Sequence, residues 1–129
     1  MRKISVTVGL LLVLGATPVP AHHNMSAIFD FNLRVTQTGV LTGLDWRNPH
    51  IYLMVNVEDE TGAVESWSFE GPAPSFFRNR DVGRTDFETA IGQEVTVEAS
   101  RARDGSPSGL IREVRLQNGA MISACPQNC

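Results

Sequence analysis

The sequence predicts an all-β fold: a small OB-like β-barrel of five to six strands, with a short helical connection between the third and fourth. Three observations predict it. Residues 50–57 alternate strictly, with Ile51, Leu53, Val55 and Val57 on one face and His50, Tyr52, Met54 and Asn56 on the other. Gly71-Pro72-Ala73-Pro74 breaks the strand pattern midway. The order of elements, three strands, a helical connection and two or three strands, is that of such a barrel. An open sandwich or a roll has the same strand count and stays open at this point.

Taken in order, residues 34–46 alternate loosely through Val35, Val40, Leu41, Leu44 and Trp46, and Gly39 and Gly43 allow a bend or bulge. Asn48-Pro49 interrupts the pattern, because proline cannot donate to a ladder and holds the preceding residue extended. After the second strand, Glu58-Asp59-Glu60-Thr61-Gly62-Ala63 reads as a solvated acidic turn. Residues 64–70 return as the third strand, with Val64, Ser66 and Ser68 opposed to Glu65, Trp67 and Phe69. A short helix is expected over residues 75–80, starting at Pro74 or Ser75. Thr85-Asp86-Phe87-Glu88 has the form of a capping box and predicts another helical turn before Gly92. Residues 94–100 form a strand with Val95, Val97 and Ala99 inward. Residues 110–116 and 120–123 form a last hairpin around Asn118-Gly119.

The start of the chain carries a different signal. Arg2 and Lys3 lead into an apolar run from Ile4 to Leu14, followed by Gly15, Ala16 and the small residues Val19 and Ala21. Charged head, apolar middle and small-residue exit read as a secretory signal peptide over residues 1–21. The run is too short to span a membrane, which takes about 20 apolar residues. The expectation is a periplasmic or secreted protein with no stable membrane insertion after cleavage. The remainder divides into an N-terminal arm (22–33), the barrel-like domain (34–123) and a cysteine-containing tail (124–129).

Removing 21 of the 129 residues leaves 108, the size of one domain. Arg2 and Lys3 leave with the signal, so the net charge falls by two, from −3 to −5, and no lysine remains. An acidic exported domain does not suit nucleic acid, whose phosphates call for a basic surface. Serine elbows, phosphate loops and zinc-protease motifs are absent from the sequence. The chain is therefore expected to bind something rather than transform it.

Cleavage after Ala21 would make His22 the first residue, with His23 next. A terminal amine and an imidazole have reference pKa values near 8 and 6.5, so both lose their protons readily near neutral pH. All-nitrogen sets of this kind suit Cu(II) first, then Ni(II) or Zn(II). His50, the third and last histidine, would complete the set if the arm folds back to it. The plainer alternative is a histidine-bearing arm and a half-exposed strand histidine with no shared role. A second expectation, from another class, is a non-metal module that binds a protein or small molecule through a face around Trp46, Asn48, Tyr52 and Trp67. Against it, the aromatic residues suit a core better than a stacking platform. Cys125 and Cys129 are expected to pair in an oxidising compartment, in a ring too small to stabilise much beyond the tail. A soft-metal site or a cross-link between chains is the alternative.

Beyond these readings, the chain resembles a family of short exported bacterial proteins catalogued as a domain of unknown function. The resemblance rests on Ala21-His22-His23, Phe29-Asp30, Gly39-Val40, Trp46-Arg47-Asn48-Pro49-His50, Trp67-Ser68-Phe69-Glu70 and Arg101-Ala102-Arg103-Asp104-Gly105-Ser106. Trp-x-Asn-Pro-His is its most specific part, and the likeness runs to about Met121. It implies export, a small β-rich fold and no assigned activity. The chain departs from the pattern at Asn24, where serine is usual, and at Ser100, where glycine or tyrosine is. Its cysteine tail is also unusual, so the resemblance implies nothing for Cys125 or Cys129.

Overall fold

A computed structural model describes residues 24–125. A helical turn, α1 (Met25–Ile28), leads into the long strand β1 (Phe29–Trp46), followed by β2 (Ile51–Glu58) and β3 (Val64–Gly71). Two short helices, α2 (Pro74–Arg78) and α3 (Arg84–Glu88), connect β3 to β4 (Glu94–Ala102). The chain then runs through β5 (Ser108–Leu116) and β6 (Met121–Ser123). The fold is mostly antiparallel β-sheet with few helices. The six strands lie in the order β3-β2-β1-β4-β5-β6, and a parallel pairing joins β3 to β5 through Ser68–Glu70 and Ser108–Leu110. Among the described residues, no helix is long and apolar enough to cross a membrane.

β1 pairs with β4 through its first part and with β2 through its second. The change of partner needs a close approach. A Cβ on Gly39 would stand 2.2 Å from the backbone oxygen of Asn56, so only glycine lets the two strands come together there. A register shift between Leu41 and Gly43 then turns β1 onto β2.

The expected alternation holds where it was clearest. Ile51, Leu53 and Val55 are fully buried, as are Phe69, Val97 and Ala99. At one edge of this core, Phe77 of α2 and Phe87 of α3 meet Trp46. The ring centroids are 5.5 Å apart for the two phenylalanines and 5.7 Å from each to the indole. Short helices of five residues hold no stability of their own, so these aromatic anchors are what fix α2 and α3.

Three details correct the sequence expectations. β1 begins at Phe29, so residues 29–33 of the expected arm belong to the sheet: Phe29 is buried and pairs with Ala102. The capping box lies two residues earlier than Thr85. Asp86 Oδ2 accepts the Gly83 N–H at 2.7 Å, while Glu88 pairs with Arg84 at 2.6 Å instead. The fifth strand is interrupted. Glu113 opposes Glu98 but Ile111 opposes Ala99, which leaves Arg112 without an opposite residue, a β-bulge.

Candidate functional site

The Trp46-Arg47-Asn48-Pro49-His50 corner connects β1 to β2, with a cis bond between Asn48 and Pro49. Pro49 fixes its own φ, and the corner delivers His50 just ahead of Ile51. There His50 Nδ1 lies 2.5 Å from Glu70 Oε1, and the imidazole is 26% exposed against 13% for the carboxylate. Glu70 comes from β3, where it stands opposite Tyr52 of β2 in the register. One carboxylate thus serves two neighbours on the outer face of the β2–β3 pair.

Tyr52 registers this company. Its phenol pKa is raised above the ordinary 10.0, first by burial, then by the charge of Glu70 and a hydrogen bond to it, with Asp45 adding and Arg47 opposing. A raised tyrosine pKa favours the neutral phenol in the fold. The stability it brings is present below pH 10.0 and is lost as pH rises through the folded value. Tyr52 is the one tyrosine of the chain, so its phenolate absorbance can be followed alone. We expect an absorbance midpoint above 10.0 that Glu70→Gln lowers only in part, because burial is the larger cause. An unmoved midpoint in the Gln variant would show that Glu70 does not face the phenol.

Behind His50 opens a pocket of about 310 Å³. Its lining includes Met25 at the start of the described chain, Phe31 of β1, His50, Leu110, Arg112 and Ala124. The Arg112 side chain is 7% exposed, a costly position for a charge without partners. Its Nη1 donates to Ser100 Oγ at 3.3 Å and its Nε lies 3.6 Å from Glu98 Oε1. Ser100, which departs from the resembled pattern, is thereby tied to the guanidinium.

The residues singled out from the sequence do not all meet. His50 lies in the pocket wall. His22, His23 and Cys129 lie outside the described residues. Cys125 is disulfide-bonded. Trp67 is in the core, 3% exposed, donating its Nε1–H to Glu65 Oε2 at 2.8 Å. Trp46, paired with Ile51, points inward onto Phe77 and Phe87. Tyr52 is on the opposite face and Asn48 is exposed at the corner. The indoles therefore do not make an open aromatic face with Tyr52. Among the described residues, no three His, Cys, Asp or Glu side chains come together closely enough to hold a metal ion.

Glu70, Arg112 and Met25 were not singled out. Arg112 left a faint trace, as an arginine that directly follows Leu110 and Ile111. Glu70 showed only as the end of the Trp67-Ser68-Phe69-Glu70 stretch and Met25 left no trace, since only strand pairing and the path of the chain bring them to His50.

A family model matches residues 10–113, which takes in the corner, the His50–Glu70 pair and the bulge at Arg112. The chain belongs to DUF6152, a family of unknown function. No curated protein and no solved structure matches it. For this DUF6152 member, the site's own geometry is what speaks to function.

Proposed function

We propose that the protein is an exported binding domain of the periplasm or the cell exterior. It holds a transition metal, copper first, between its mature N-terminus and His50. The observation that carries the reading is that Met25 and His50 line the same pocket. Covalent geometry confines His23 to within about 7 Å of Met25 and His22 to within about 11 Å. Both histidines are thus tied by a short length of chain to a residue of that wall.

The Glu70 contact supports the same reading. With Nδ1 turned to a carboxylate, the imidazole keeps Nε2 for a ligand, and the ring is held in orientation. Histidines that bind metals are commonly held this way, and the carboxylate raises the basicity of the ligating nitrogen. The amine and ring of His22, the ring of His23 and Nε2 of His50 would make a set of nitrogen donors suited to Cu(II). The role proposed is binding.

The strand pairings fit an OB-like barrel: β1 pairs with β2, β2 with β3, β3 with β5, β5 with β4 and β4 with β1 again. We read this circuit as closed, with the histidine corner and the pocket at its surface. The alternative of a metal-free aromatic binding face loses support from the inward Trp46 and Trp67. Cu(II) titration of the protein and of His50→Ala tests the metal reading: the variant should bind much more weakly, and equal affinity would contradict it.

A further inference from the structure

The pocket holds a second feature that a metal at His50 does not use. Arg112 is placed there by the β-bulge, a device that re-aims a side chain out of the strand's alternation. The carbonyl of the same residue accepts the Ala124 N–H at 2.8 Å, so the bulge is clamped from the side of β6 as well. The guanidinium is buried but thinly compensated. Glu98 approaches its Nε only to 3.6 Å and also serves Arg34 at 3.3 Å, so one carboxylate is divided between two cations. Ser100 is neutral. Among the described residues no fully buried side-chain nitrogen or oxygen lacks a hydrogen-bond partner, so any guanidinium donor not used by Ser100 or Glu98 reaches open space, and Arg112 lines the pocket.

Apart from His50 and Ser100, the rest of the lining is apolar. Met25, Leu110, Ile111 and Ala124 share the pocket with Arg112, and Phe31, 44% exposed, is the half-open apolar member of the wall. An inorganic anion would give up its hydration to these walls for one guanidinium and gain nothing from them. A carboxylate on an apolar body suits both parts of the site. Its planar head matches the arginine fork, and its body displaces water from the apolar lining. A volume of about 310 Å³ lies at the lower end of small-molecule sites and so suits a small ligand.

We propose that this pocket is a binding site for a small amphiphilic carboxylate, whose head pairs with Arg112 and whose apolar body lies against Met25, Phe31 and Leu110. The site stands without any metal, so the experiment is done on metal-free protein in the presence of a chelator. Octanoate, octanol and sulfate are titrated by calorimetry into the protein and into Arg112→Met. Octanoate should bind at least tenfold more tightly than octanol or sulfate, and Arg112→Met should lose that preference while still binding the apolar tail. Should removing the charge disturb the strand, the unaltered protein still answers: the Arg112 Nε–H resonance should move on adding octanoate, saturating with the calorimetric midpoint. Equal affinity for octanoate and octanol, sulfate binding as tight as octanoate, no octanoate binding, or a stationary Nε–H resonance would each overturn the proposal.

Discussion

His50→Ala is expected to weaken Cu(II) binding at least a hundredfold, about 3 kcal/mol. Removing a partner that merely orients a metal-bound histidine costs about ten- to a hundredfold, so losing the histidine itself should cost no less. The effect should be specific to binding. His50 is a quarter exposed and sits before β2 rather than inside it, so truncating it leaves the fully buried Ile51, Leu53 and Val55 untouched. Thermal unfolding of metal-free His50→Ala should therefore stay close to that of the parent. A variant that lost copper only because it had lost its fold would be seen at once in that comparison.

Phe77→Ala is expected to be the most damaging change to the fold, costing about 3–5 kcal/mol, the usual range for emptying a buried phenylalanine site. Phe77 is 1% exposed and touches three rings, edge-on to Phe87 and Phe76 and tilted against Trp46. Alanine there leaves a void between a five-residue helix and the sheet, and α2 has no other fully buried large side chain to hold it. A domain of this size loses several degrees of melting temperature per kcal/mol, so a drop of more than about 10 °C should appear. Phe76 makes the useful comparison. It is only half-buried, with the Arg80 guanidinium 3.7 Å from its ring centre, and its truncation should cost clearly less. Equal losses at the two positions would mean that Phe77 is not the anchor of α2.

What the sequence made legible follows from how far each signal reaches. β2 could be read residue by residue because a strand with one buried face shows a period of two, and nothing from elsewhere is needed to see it. The Gly71–Pro74 break and the Asn118-Gly119 turn are equally local, and Gly119 does take the positive φ of +88° that such a turn asks for. The start of β1 was missed because Phe29, Phe31 and Leu33 alternate but only Phe29 is buried. The pattern alone does not say which alternating run finds a partner strand. The bulge at Arg112 was invisible for the opposite reason: it puts Ile111 and Arg112, consecutive residues, both under cover and so breaks the period that would reveal them.

The candidate site divides along the same line. His50 stood out as the imidazole of a rigid corner. Its partner Glu70 is twenty positions away, and only the register of β2 with β3 brings the two together. Trp46 and Trp67 stood out as rings, yet a ring's identity does not say which face of the strand it takes, and pairing with Ile51 and Val55 turned both inward. That placement weakens the case for an aromatic face, and the pocket wall carries the imidazole and the buried guanidinium.

The measurement that bears most directly on the whole account compares Cu(II) affinity of a chain beginning at His22 with that of the same chain carrying one alanine ahead of it. Converting the terminal amine into a peptide nitrogen takes one donor from the ion while leaving every histidine and the pocket in place. A fall of at least tenfold is what a site built on that amine requires, whereas identical titration curves for the two chains would contradict it.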